Sequence, residues 1–166
     1  MHAFKISEIR AMMAHFLLGN TFDEWLLSEA QITTFCTYTI DGTFQKTYDD
    51  PASEEPSQEA RILVPWGRVR EFCYSLIRGK RTPISFRFVF VLSQEKSREF
   101  LAESGLTDDP DDLTGLYLNV SFRDKRLLIT TGTARKNFFM DKTLDNAWDS
   151  YVQAFLKSFG IAVEPM

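Results

Sequence analysis

Ala30-Gln31-Ile32-Thr33-Thr34-Phe35-Cys36-Thr37-Tyr38-Thr39-Ile40-Asp41-Gly42 is the stretch on which the fold class turns. Ala30, Ile32, Thr34, Cys36, Tyr38 and Ile40 fall on one side of an extended chain, and Gln31, Thr33, Phe35, Thr37 and Thr39 on the other. That period of two belongs to a strand in an antiparallel sheet, and the Thr, Ile and aromatic content suits a pleated surface. Asp41-Gly42 reads as a hairpin turn, since both residues tolerate positive φ, with Phe44, Lys46 and Tyr48 on the returning strand.

Working outward, Ala3, Phe4 and Ile6 form a short strand-like opening, and Ser7 is placed to cap a helix. Ile9, Met12, Met13, Phe16 and Leu17 recur at helical spacing up to Gly19. Beyond the hairpin, Ile62 to Val64 is a second short strand. Pro65 opens a helix that runs to about Ile77 and is stopped by Gly79. Ile84 to Leu92 is strongly β in composition. Ser93 caps a helix that ends near Gly105, and strands follow over Leu116–Phe122, Leu127–Thr131 and Asn137–Met140, with a turn at Arg123-Asp124-Lys125 between the first two. A final amphipathic helix over 143–159 turns Leu144, Ala147, Trp148, Tyr151, Val152, Phe155 and Leu156 inward. The expected fold is α+β, mainly antiparallel sheet with four helices. It forms one domain over 1–166, with two strand–helix–strand–strand halves, 1–48 and 61–142, joined by an acidic loop at 49–59.

At 166 residues, 44% hydrophobic and 25% charged, the chain suits a single globular core rich in phenylalanine. No apolar run approaches the ~20 residues that span a bilayer, and the amino terminus lacks a signal-peptide layout, so the expectation is a cytoplasmic protein without a membrane partner. Cys36 and Cys73 both lie within hydrophobic patterns and are read as buried thiols.

Net charge is −4, but residues 49–59 hold five acids and no base, and without them the remainder is +1. Between Arg61 and Arg87 stand seven basic residues against Glu71 alone. Most flank or decorate one helix, with an apolar stripe of Val69, Phe72, Cys73, Leu76 and Ile77. Arg70, Tyr74 and Arg78 then lie one turn apart on the outer side, near Arg68, and Lys80 and Arg81 follow. Arginine forks pair with phosphate oxygens, and an exposed tyrosine stacks or donates a hydrogen bond. The structural alternative is a solvated face whose cations offset the helix dipole. Arg68, Arg70, Tyr74, Arg78, Lys80 and Arg81 are therefore the candidate anion- or nucleic-acid-binding residues.

Other constellations read as structural. Asp108-Asp109-Pro110-Asp111-Asp112 lacks the glycine and terminal glutamate of an EF-hand loop. His2 and His15 have no spaced partner for zinc. Thr130-Thr131-Gly132-Thr133 is no phosphate loop and is read as a strand end or turn. Glu29 and Asp41 are carboxylates that sequence alone cannot pair. No catalytic residue, metal or cofactor is called for.

Phe22-Asp23, Leu26-Leu27, Glu29-Ala30, Ile32-Thr33-Thr34-Phe35, Ile40-Asp41-Gly42, Leu76 to Pro83 and Thr131-Gly132-Thr133 resemble a small domain-of-unknown-function family from anaerobic Gram-positive bacteria, over nearly the whole chain. The resemblance implies no activity. The repeated element order also looks like a DNA sliding-clamp domain, in which helices line a basic channel. The leading expectation is a non-catalytic binding protein for nucleic-acid phosphates or another polyanion. A protein–protein module or homo-oligomer, and a small enzyme with a carboxylate site, stand beside it.

Overall fold

The computed structural model describes residues 2–49, 62–138 and 140–166. Arg61 and most of the acidic loop lie outside them. Among the described residues eight strands form one antiparallel sheet: β1 (Ala3–Ile6), β2 (Leu26–Thr33), β3 (Thr37–Asp41), β4 (Val64–Pro65), β5 (Ser85–Val91), β6 (Leu113–Arg123), β7 (Arg126–Arg135) and β8 (Val163–Pro165). Their order is β3-β2-β5-β6-β7-β1-β8, with β4 also on β2. The helices are α1 (Ile9–Met13), α2 (Lys46–Asp49), α3 (Trp66–Ile77), α4 (Gln94–Glu103) and α5 (Thr143–Ser158), and a π-helical turn, Ala14–Leu18, extends α1. The α+β, mainly antiparallel reading holds.

Register explains why one side of the sheet is a core. Ile32, Phe86, Phe122, Leu127 and Ile6 form one cross-strand rung, and Ala30, Phe88, Val120, Ile129 and Phe4 form the next. All ten are buried. Of the intervening positions, Gln31, Arg87 and Lys5 are exposed, and Ser121 and Leu128 are half-buried. The helical layer closes the apolar side with aromatics: Trp66 stacks on Phe16 at 4.8 Å, and Trp148 of α5 lies flat against Tyr151 and edge-on to Phe100 of α4. Two of the buried indoles find an acceptor. Trp66 Nε1 donates to the Phe16 carbonyl at 3.0 Å and Trp148 Nε1 to the Tyr117 carbonyl at 2.9 Å, which removes the cost of burying an N–H.

The opening stretch is two strands, not one. The chain reverses at Thr34-Phe35-Cys36, where Thr34 N donates to the Cys36 carbonyl at 2.9 Å. Because Ile32 faces Tyr38 and Ala30 faces Ile40, the even-numbered residues share a face before and after the turn. The alternation therefore runs through the reversal unbroken, and the turn contains no Gly, Pro, Asn or Asp to mark it. Cys36, at the tip, is exposed, contrary to the buried reading; Cys73 is buried. Asp41-Gly42 is not the turn. Gly42 is needed for a close crossing instead, since a Cβ there would lie 1.7 Å from the Leu27 carbonyl oxygen.

Other expectations shift for local reasons. The return strand at 44–48 is absent: Thr43 bridges Leu63 and α2 follows. Ser7 does not cap α1, because its hydroxyl donates to Glu164 on β8 at 2.6 Å. Asn137, Phe138 and Met140 are not in a strand. Thr131-Gly132-Thr133 lies inside β7, where Thr131 and Thr133 donate to Asp149 and Asp145 of α5. Strands from 1–48 and from 61–142 are joined through β2 with β5 and β1 with β7.

Candidate functional site

Helix α3 begins after Pro65, whose ψ of 141° is extended, and ends at Arg78, also extended, before Gly79 at φ +154. Trp66 and Cys73 are its buried residues, with Val69, Leu76 and Ile77 packed partly against the core. Phe72, placed by sequence in the inward stripe, is 56% exposed. The inward direction thus runs through Trp66, Arg70 and Cys73 at spacings of four and three, and Arg70 sits on the buried flank.

That placement corrects the outer row. Arg70 Nε lies 3.0 Å from Asp23 Oδ1, Nη2 donates to Asp23 Oδ2 at 3.2 Å, and Nη1 donates to the Leu18 carbonyl at 3.0 Å. The π turn makes this possible. Gly19 N bonds back five residues to the Ala14 carbonyl, and the carbonyls of Phe16 and Leu18 are capped by Trp66 and Arg70 of α3. Arg68 sets its guanidinium 5.4 Å from the Phe44 ring centroid. Tyr74 is half-buried, with the Arg78 guanidinium 6.0 Å from its ring centroid. Lys80 and Arg81 are exposed on the loop that leads into β5.

What the fold assembles is an end, not a helix face. Thr33, Ser85, Arg123 and Arg126 share the rung that closes the sheet on one side, and Ile6 ends β1 at the neighbouring rung. Beyond them lie the start of α1, the 78–83 loop and the β6–β7 hairpin. This end exposes Arg10, Arg78, Lys80, Arg81, Arg123, Lys125 and Arg126, accompanied by Glu8 and Asp124. Among the described residues no carboxylate is ion-paired with Arg10, Arg78, Lys80 or Arg81, whereas the opposite end is acidic, with Asp108 holding Arg135 at 2.8 Å and Asp111 near Arg98 at 3.6 Å.

Between α1 and the 78–83 loop runs an open groove of about 560 Å³. Ile9, Met13, Ile77, Pro83, Phe86 and Phe122 line it, and Arg10, Arg78, Lys80 and Arg81 stand around it. Arg10 comes from α1 and the others from the loop, so both walls carry charge. Sequence placed Arg10 on a separate helix, and Arg123 and Lys125 in a turn between two strands. Strand register alone brings them to one end.

The carboxylates Glu29 and Asp41 face each other across β2 and β3. Both are exposed, and Asp41 Oδ1 accepts from the Thr43 amide and hydroxyl at 2.8 and 2.7 Å. Neither lines the groove between α1 and the 78–83 loop. No cluster of His, Cys, Asp and Glu among those residues is arranged for a metal, and no helix among them is long and apolar enough to cross a membrane.

A model of DUF5721, a family of unknown function, matches residues 15–164. The chain belongs to that family. No curated protein and no solved structure matches it. Within this DUF5721 chain the match begins inside the π turn and takes in the 78–83 loop and the β6–β7 hairpin, leaving Arg10 just outside.

Proposed function

We propose that this chain is a non-catalytic protein that holds nucleic-acid phosphates at its basic end. The observation that carries the reading is the gathering of Arg10, Arg78, Lys80 and Arg81 around one groove, with Arg123, Lys125 and Arg126 on the adjoining hairpin. Guanidinium and ammonium groups exposed in this density attract a polyanion and release its counterions on contact. Arg70 leaves the contact set, because its donors are engaged by Asp23 and Leu18.

The test is anisotropy of a fluorescent oligonucleotide titrated with protein across a salt series. Affinity falls steeply as salt rises, and the triple variant Arg78→Glu, Lys80→Glu, Arg81→Glu loses at least roughly tenfold. An absence of binding even at low ionic strength sinks the reading.

A further inference from the structure

The groove inside the ring of cations has a chemistry that phosphates do not use. Its lining is aliphatic and aromatic, whereas phosphates need only the rim. Resting on the polyanion reading, we propose that the ligand is a single-stranded nucleic acid, with its phosphates on the rim and an unpaired base laid against the groove.

Shape and chemistry select this occupant. At about 560 Å³ the groove falls within the ~300–1,000 Å³ of small-molecule sites, ample for a nucleotide. It is open along its length, so a ligand in it buries one face and leaves the other in water. A flat base meets that condition, with a π-face for Ile9, Met13 and Ile77 and polar edges left solvated. An acyl chain, apolar all round, would leave half its surface wet. A duplex is excluded for the opposite reason: its bases are stacked inside, so it reaches the rim cations and leaves the apolar floor uncovered. At the same end of the sheet the β2–β3 turn carries Phe35, 90% exposed, and Ile84 is 68% exposed. The Ile84 amide donates to the Thr33 carbonyl at 2.9 Å, which ties this turn to the basic loop. Exposed apolar side chains beside a cationic track are the parts of a sequence-tolerant stacking platform.

Three labelled probes of equal length, about 12 nucleotides, separate the contributions: an intact single strand, the corresponding duplex, and a strand with the same phosphates but abasic sugars. The intact strand binds roughly tenfold tighter than either of the others. Met13→Gln, nearly equal in volume, weakens the intact strand several-fold and leaves the abasic strand unchanged, with circular dichroism confirming the fold. If duplex and abasic strand bind as tightly as the intact strand, the single-strand inference is overturned while the polyanion reading stands. If no probe binds at about 50 mM salt, the polyanion reading itself fails. Capture by anionic phosphatidylglycerol vesicles with no response to any oligonucleotide overturns both in favour of a lipid surface.

Discussion

With Nε 3.0 Å from Asp23 and Nη1 on the Leu18 carbonyl, Arg70 ties α3 to the segment that leaves the π turn. Both side chains are partly shielded, at 18% and 28% exposure, so the pair is screened less than a surface contact. Arg70→Met leaves the Asp23 carboxylate without its partner and costs about 1–3 kcal/mol in urea denaturation. Arg81→Met, on an exposed loop, stays within about 0.5 kcal/mol. Equal costs for the two would mean the Asp23 pairing adds nothing. The two cysteines differ in the same way. Burial pushes the Cys73 thiol up to about 12, while Cys36 is exposed at a hairpin tip. A disulfide reagent at mildly alkaline pH therefore titrates one thiol in the native protein and a second only after unfolding. The folded value lies above the unfolded value of about 9, so this thiol's contribution to stability is complete below pH ~9 and is lost as pH rises toward 12. The decline reaches at most about 1.4 kcal/mol per pH unit, and urea midpoints for Cys73→Ala should fall less steeply over that range.

The β6–β7 hairpin turns on Asp124 and Lys125, at φ 50° and 61°, left-handed conformations that suit a two-residue turn but penalise a lysine. Lys125→Gly relieves that penalty and raises unfolding stability by about 1 kcal/mol; a loss of stability would show that the lysine side chain packs favourably. This turn was legible because an alternating strand ends on each side of a polar tripeptide. The β2–β3 turn was not, since Thr34-Phe35-Cys36 carries no turn chemistry and the period continues across it. Helix α3 was legible in extent, since Pro65 and Gly79 bracket it. Its facing was legible in part: Val69, Cys73, Leu76 and Ile77 turn to the core as the stripe implied, whereas Phe72 is exposed and Arg70 lies on the inner flank, where Asp23 and Leu18 offer it partners. β8 gave no signal at all. A three-residue strand has no period to detect, and Val163–Pro165 is held by pairing with β1.

Across the whole molecule, charge is sorted along the strand direction, a property that net charge and residue spacing hide. Odd and even hairpins alternate ends, so Arg78, Lys80 and Arg81 join Arg123, Lys125 and Arg126 although roughly forty residues separate them. Asp108, Asp109, Asp111 and Asp112 are carried to the other end, by the start of β6. On the proposed polyanion reading, cations from α1, the 78–83 loop and the β6–β7 hairpin each displace counterions on contact. Neutralising the hairpin with Arg123→Gln, Lys125→Gln and Arg126→Gln then lowers the magnitude of the slope of log affinity against log salt by up to about 2, at ~0.7 per phosphate for a single strand. Lys136→Gln with Lys142→Gln, at the acidic end, changes total charge by a similar amount and leaves the slope unaltered. Equal slope changes in the two variants would mean that net charge alone drives binding, and that the sorting of charge by the sheet has no part in it.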